Sequence, residues 1–168
     1  MKKYMLLGTV VLLLLLSFCS CTNKENGNNE AAKTADMNVL IENMTKAAGT
    51  LPDMTTYTSS ETDAESTFDY LCELDYSKIN SFIITYSSEA SAEELFLMEL
   101  KDAKDIDAAK LALQKRIKTR RTAFNTYLPA EVSKIDKAQI TSYGKYISLI
   151  ICPTPQSATD AFQDYFKH

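Results

Sequence analysis

The order of strand-like and helix-like patterns between residues 79 and 152 constrains the fold of this chain more than any other feature. Residues 79–86 and 95–101 alternate apolar side chains with a period of two, and the small, polar segment 87–92 joins them. This pattern predicts a β-hairpin. Residues 139–143 and 146–152 predict a second hairpin around Gly144 and Lys145. Two hairpins in one short domain predict a mainly antiparallel sheet.

Helical patterns surround and separate the two hairpins. Asp36 is suited to cap a helix over residues 37–48 that ends at Gly49, and further helices are predicted at 65–74, from after Asp105 to Pro129, and at 157–167. The Thr- and Ser-rich segment 50–63 is expected to be a loop, and residues 130–136 a short helical turn. The order helix, helix, strand, strand, helix, strand, strand, helix predicts an α+β domain whose sheet is covered by helices.

The first twenty residues have the pattern of an export signal. Lys2 and Lys3 precede an apolar run over residues 5–18, which is shorter than the roughly 20 residues that a spanning helix needs. The run ends at Phe18-Cys19-Ser20-Cys21, which resembles a bacterial lipobox. We therefore expect residues 1–20 to be a signal peptide and Cys21 to carry the acyl chains. A plain secretory signal is the alternative.

The segment after Cys21 predicts a tether and then a single domain. Residues 22–36 contain no aromatic residue and no Val, Ile or Leu, so they cannot bury a core. Residues 37–168 are one average domain in length. Loss of residues 1–20 leaves 16 basic and 22 acidic residues, a formal charge of −6, so nucleic acid is not an expected partner. The expected location is the extracytoplasmic face of the cell membrane.

The cysteines and the single histidine exclude several kinds of site. Cys72 and Cys152 remain after processing, lie in apolar segments and have no CxxC spacing, which favours two buried free thiols over a disulfide. The only histidine is His168, so no Ser-His-Asp or Cys-His site can form within the chain, and no Gly-rich phosphate loop is present. No cofactor and no metal are expected.

Acidic residues could act in catalysis or in calcium binding, but their positions favour a simpler role. Glu93 and Glu94 are adjacent, so a strand would point them to opposite faces, and Asp105 and Asp107 lie where a helix begins. We expect solvated acids and helix caps. An enzyme that uses acidic and tyrosine side chains, such as a glycan-acting hydrolase, stays an alternative.

The long helix carries the one local excess of positive charge. These basic residues predict a solvated face with i,i+4 partners, or a surface that touches anionic lipid or wall polymer. The apolar stripe of the helix runs from Ile106 to Phe124 and Tyr127, which are expected to point inward. Arg120 falls within this stripe, so it needs an acid, a carbonyl or an anionic ligand. The candidate interaction residues are Arg116, Arg120 and Arg121, and the full basic run is Lys110, Lys115, Arg116, Lys118, Arg120 and Arg121.

Four segments and Arg120 carry a resemblance to a known family. The segments are ELFLM at residues 94–98, KR at 115–116, YLPAE at 127–131 and GKY at 144–146. Together they resemble small lipoproteins of Gram-positive bacteria that share a catalogued domain of unknown function, over about residues 68–165. The resemblance implies a lipoprotein, but it implies no activity, cofactor or catalytic residue.

These patterns favour a membrane-anchored, non-catalytic interaction or accessory domain at the cell surface. Its expected partners are membrane lipid through the acyl anchor and a cell-envelope protein or anionic polymer. The hydrolase above is one alternative. A small-ligand or peptide binder is another, and an apolar cavity lined by Tyr86, Tyr143 or Tyr146 would be its sign.

Overall fold

A computed structural model describes residues 34–167. The signal peptide, Cys21 and most of the tether expected from the sequence lie outside these residues. The helices are α1 Met37–Ala47, α2 Ala64–Leu71, α3 Ile106–Tyr127, α4 Val132–Ile135 and α5 Pro155–Tyr165, and the strands are β1 Met54–Thr58, β2 Ile79–Ser87, β3 Glu94–Leu100, β4 Gln139–Tyr143 and β5 Tyr146–Ile151.

The five strands form one antiparallel sheet in the order β1-β2-β3-β5-β4. The two predicted hairpins, β2–β3 and β4–β5, are both present. They meet through β3 and β5, where Phe96 pairs with Leu149. The fold is therefore the α+β arrangement that the sequence predicts, with one addition at the edge of the sheet.

That addition is β1, which corrects the prediction of a loop over residues 50–63. Met54–Thr58 pairs with β2, so that Tyr57 lies opposite Ile84. The strand was missed because Met-Thr-Thr-Tyr-Thr shows no alternation of apolar residues. An edge strand can form with little apolar alternation, because backbone hydrogen bonds to its one neighbouring strand hold it in the sheet.

Helices cover both faces of the sheet, as the apolar residues on its second face predict. Helices α2, α3 and α4 pack on the face that carries Phe82, Phe96 and Leu149. Helices α1 and α5 pack on the face that carries Leu95, Leu97 and Ile150. Because strands bury both faces, every residue of β3 and β5 is buried.

The start and end of α1 follow the sequence prediction closely. The Asp36 side chain accepts hydrogen bonds from the backbone N–H groups of Asn38 and Val39, which caps the helix. Gly49 ends it with a φ of 85°, a left-handed conformation that glycine adopts without strain. Within residues 34–167, no helix is both long enough and apolar enough to cross a membrane.

Candidate functional site

The centre of the candidate site is a buried acid that two arginines of α3 share. Arg116 and Arg120 are four residues apart, so they project from the same face of the helix. On the facing strand, Glu94 alternates with Phe96 and Met98 and therefore points toward α3. Arg116 donates to both carboxylate oxygens of Glu94, from Nε and from Nη2, at 2.6 Å each. The Glu94 side chain has no exposed surface.

Arg120 contacts the same carboxylate more loosely. Its Nη1 lies 3.2 Å from Glu94 Oε2, and its Nη2 donates to the carbonyl of Ala92 at 3.0 Å. Its Nε is buried and has no hydrogen-bond partner. The guanidinium also stacks over the ring of Phe124, 5.2 Å from the centroid. Arg120 thus has the acid and the carbonyl that its position in the stripe requires, with one donor left over.

A groove of about 510 Å³ opens above these two arginines. It lies between α2, the second half of α3 and the β1–β2 edge of the sheet. Its walls are mainly aromatic and apolar, which is the usual character of a site for small organic molecules. The residues that line it are Tyr57, Thr67, Tyr70, Leu71, Ile84, Tyr86, Arg116, Thr119, Arg120, Ala123, Phe124 and Tyr127.

Exposed aromatic residues concentrate at this groove. Among the described residues, five large hydrophobic side chains are exposed, and three of them, Tyr70, Tyr86 and Tyr127, line it. Tyr70 is 89% exposed and Tyr127 is 59% exposed. The spacing of the α3 stripe predicted that Tyr127 points inward, and this prediction is wrong. A cluster of exposed apolar side chains is typical of a binding surface, because the folded domain gains no stability from exposing them.

The groove is locally positive. In its lining only Arg116 and Arg120 are charged, and none of the described lining residues is Asp or Glu. Asp63, Glu65 and Asp69 line a separate shallow depression at the start of α2, and Asp63 accepts hydrogen bonds from Tyr57 and Thr67 of the groove. The α3 side of the groove is therefore the positive side.

A second ionic cluster fixes the loop that joins β2 to β3. Lys134 of α4 donates to Glu93 at 2.7 Å and to Glu131 at 2.9 Å. Glu131 also accepts from the backbone N–H of Ala92 at 2.9 Å and from the Ser91 hydroxyl at 2.9 Å. Since the carbonyl of Ala92 accepts from Arg120, this loop is held by α3 and α4 together. The cluster therefore helps to position the floor of the groove.

The charges of this cluster are stabilised in their ionised forms. Burial alone would raise the pKa of Glu93 and Glu131, but hydrogen bonds, those from Lys134 foremost, outweigh it, and both pKa values are lowered. Burial likewise opposes the charge of Lys134, yet its two acidic partners raise its pKa. Two carboxylates that both stay ionised do not form the acid and base pair of a glycosidase.

The expectation of solvated acids at residues 93 and 94 is thus wrong. Glu93 and Glu94 are both buried and both paired, Glu93 with Lys134 of α4 and Glu94 with Arg116 of α3. Asp105 does begin α3, but its side chain makes no cap hydrogen bond and pairs with Lys78 at 2.7 Å instead. The position of Arg120 inside an apolar stripe indicates that it has a buried acidic partner. The alternation of β3 indicates Glu94 as that partner, since it shares the inward face with Phe96 and Met98.

Two other basic residues of α3, Lys115 and Arg121, have acidic partners outside the helix. Lys115 pairs with Glu73, and Arg121 pairs with Asp136, at 2.9 and 2.7 Å. The prediction of i,i+4 partners within the helix is wrong for these two pairs, because both acids come from other parts of the chain. Arg121 lies apart from the groove, so the structure brings together two of the three candidate arginines, Arg116 and Arg120. With three acids pairing four of these basic groups, a lipid-facing basic patch has less support than the groove.

Of the three tyrosines expected at a cavity, only Tyr86 lines the groove. Tyr146 is buried on the opposite face of the sheet, where its hydroxyl donates to Glu99 at 3.2 Å. Tyr143 stacks on Phe166, with ring centroids 4.4 Å apart. Both contribute to the α1–α5 side of the core. The sequence could not separate them, since all three lie in hairpin strands and the groove forms on only one face of the sheet.

Cys72 and Cys152 are free and buried, which confirms the predicted pair of thiols. They belong to different clusters, Cys72 with α2 and α3 and Cys152 with α1 and α5. Burial raises the pKa of each thiol to about 11. Within residues 34–167, no three His, Cys, Asp or Glu side chains come together in a way that could hold a metal ion.

Comparison with known proteins identifies the family. No curated protein matches the chain, and no solved structure matches it. A family model described as a domain of unknown function, DUF4358, matches residues 53–152. The match begins before β1 and ends after β5, so it contains every residue of the groove and leaves out α1 and α5. This chain belongs to the DUF4358 family of domains of unknown function.

Proposed function

We propose that this protein is a membrane-anchored bacterial lipoprotein whose domain binds a ligand in the groove between α2, α3 and β1, without catalysing a reaction. The single observation that carries the binding role is the concentration of exposed Tyr70, Tyr86 and Tyr127 around a groove floored by Arg116 and Arg120. Cys21 and the lipobox-like segment before it support the anchor. The domain would then act at the extracytoplasmic face of the cell membrane.

Two further observations support a binding role. The floor is preorganised, because Arg116 makes three hydrogen bonds and donates its Nη1 to the carbonyl of Leu71 at 2.8 Å. The matched family segment also includes the whole groove, whereas the helices on the opposite face lie outside it. A site that holds its shape before the ligand arrives loses less conformational entropy on binding.

A glycan-acting hydrolase has less support. Such an enzyme needs two carboxylates that face the substrate, and the groove lining among the described residues supplies none. Glu94, the acid that both arginines of the floor contact, lies beneath them with no exposed surface. Glu93 and Glu131 are fixed by Lys134 in the neighbouring cluster.

Site-specific photo-crosslinking in intact cells tests the binding role. A benzophenone amino acid is placed at Tyr127 or Tyr70 in the groove, and at two exposed control positions outside it, Leu111 on α3 and Val39 on α1. All four side chains are exposed, so the substitutions leave the core intact. The full chain is then purified and its mass is measured.

The expected result is an adduct of one reproducible mass at Tyr127 and Tyr70, and none of that mass at Leu111 or Val39. Equal adducts at all four positions, or no adduct at either groove position, would contradict the binding role. Thermal unfolding of each purified variant confirms that the fold is retained. The Leu111 variant is the closest control, since it lies on the same helix as Tyr127.

A further inference from the structure

The floor of the groove carries one uncompensated positive charge. Two guanidinium groups, those of Arg116 and Arg120, share the single carboxylate of Glu94. Arginine stays protonated at any relevant pH, so the single carboxylate can balance at most one of the two positive charges. Two positive charges against one negative charge leave a net charge of +1 at a partly buried position, which is costly unless solvent or a ligand compensates it.

The uncompensated charge belongs mainly to Arg120. Arg116 uses all three of its nitrogens, in two 2.6 Å bonds to Glu94 and one 2.8 Å bond to Leu71. Arg120 has a 3.2 Å contact with Glu94 and a 3.0 Å bond to Ala92, and its Nε has no partner. Its side chain is 20% exposed at the groove. Arg120 is therefore the more loosely paired and the more exposed of the two cations, and the one that a ligand can reach.

The walls define the rest of the ligand. Tyr57, Phe124 and Tyr127 offer aromatic surface, and about 510 Å³ is enough for a small organic molecule. On the other side of the groove, Asp63 before α2 accepts from the Tyr57 hydroxyl, and Glu65 and Asp69 of α2 line the same depression as Asp63. They would repel an anion there, so the anionic group is directed to the α3 side.

We propose that the groove binds a small organic anion, with one acidic group against Arg120 and an aromatic or apolar body against the tyrosine walls. This inference rests on the binding function proposed above and names the chemical class of its ligand. Because the floor of the groove carries one uncompensated positive charge, a ligand with one anionic group matches it best. A neutral molecule of the same shape would leave the charge of Arg120 uncompensated and would bind more weakly.

A matched pair of probes tests the role of charge. 2-Naphthoate and 2-naphthamide share the same ring system and differ in the anionic carboxylate. Binding of each is measured by calorimetry to the full chain in lipid nanodiscs, with empty nanodiscs as the background. The expected result is that naphthoate binds at one site and about tenfold more tightly than naphthamide, with a difference that shrinks as salt is added.

Ala123 allows the charge of the groove to be changed without touching the Glu94 ion pairs. It is exposed on α3 and lines the groove. The substitutions Ala123→Glu and Ala123→Gln add nearly the same volume, but only the first adds a negative charge. We expect Ala123→Glu to weaken naphthoate binding about tenfold relative to Ala123→Gln, with naphthamide binding equal in the two variants.

Equal affinity for the two probes, or equal naphthoate binding by Ala123→Glu and Ala123→Gln, would overturn the anion inference. Failure of both probes to bind at millimolar concentration would overturn it as well. The binding function itself is decided by the crosslinks at Tyr127 and Tyr70. Crosslinks without naphthoate binding would mean that the groove binds a ligand of another chemical class. The absence of both crosslinks and naphthoate binding would contradict the binding function as well as the anion inference.

Discussion

Arg116 donates two parallel hydrogen bonds of 2.6 Å to Glu94, whose carboxylate has no exposed surface. Such a bidentate pair fixes the orientation of the guanidinium relative to the carboxylate, and both carboxylate oxygens accept a hydrogen bond. The arrangement joins the middle of α3 to the first residue of β3, directly after the loop that joins β2 to β3. Its removal would leave guanidinium groups without their acid in a poorly solvated place.

We therefore expect Glu94→Gln to lower the free energy of unfolding by about 3–5 kcal/mol, because one partner of a buried ion pair is lost. Glu73→Gln is the matched control. Glu73 pairs with Lys115 on the surface, so the same change there should cost less than about 1 kcal/mol. Urea unfolding monitored by circular dichroism measures both values. Similar losses in the two variants would contradict the structural role of Glu94.

Acidic pH should destabilise the domain through the Lys134 cluster. The pKa values of Glu93 and Glu131 are lowered by folding, as burial is outweighed by the hydrogen bonds from Lys134 and Ser91. Their contribution to stability is fully present above the unfolded pKa of about 4.3 and is lost as the pH falls below it toward the folded values. Unfolding midpoints in urea at pH 7, 5, 4 and 3 should therefore fall mainly below pH 5.

The double variant Glu93→Gln, Glu131→Gln provides the control for that pH dependence. It should be less stable at pH 7, because Lys134 loses both acidic partners. It should also lose less stability between pH 5 and pH 3, since two of the titrating groups are gone. An unchanged slope would show that other acids, such as Glu99 with its lowered pKa, dominate the acid sensitivity.

The two buried thiols should be unreactive in the folded protein. With each pKa raised to about 11 by burial, about one thiol in a thousand is ionised at pH 8, and solvent does not reach it. In a chain that begins at Thr22, a thiol reagent such as Ellman's should react with neither cysteine until denaturant is added, and then with both. Rapid reaction of one thiol without denaturant would contradict its burial.

Lipid attachment is expected at Cys21 and not at Cys19. Metabolic labelling with a clickable fatty acid should mark the wild-type chain and the Cys19→Ser variant, and should fail in Cys21→Ser. The unlabelled variant should also lack signal peptide cleavage, because the type II peptidase acts after acylation. Label that disappears in Cys19→Ser and persists in Cys21→Ser would move the anchor to the other cysteine.

The two hairpins and their helices could be predicted because their signals are local. Phe82, Ile84 and Phe96 alternate along their strands, and Pro129 marks the end of α3 within a few residues. Gly49 likewise ends α1 where a glycine suits a positive φ. In each case the residues that decide the structure are neighbours in sequence.

The groove could not be predicted in the same way, because its parts come from distant segments. Tyr57 of β1, Tyr70 of α2 and Tyr127 of α3 meet only after the sheet has formed. The spacing of α3 located Arg120 but not its partner Glu94, and it placed Tyr127 in the core. The Tyr127 ring lies beside that of Phe124, 5.1 Å between centroids, but it lines the groove and stays exposed.

The attachment of residues 35 and 36 has a mechanical consequence. The backbone N–H of Ala35 donates to the Tyr146 hydroxyl, and that of Asp36 donates to the Tyr165 hydroxyl, at 2.9 Å each. Tension that reaches the domain through the preceding chain would therefore load β5 and α5 first, on the face of the sheet away from the groove. A pull from the membrane side would therefore be carried first by these two hydrogen bonds, before it reached the residues of the groove.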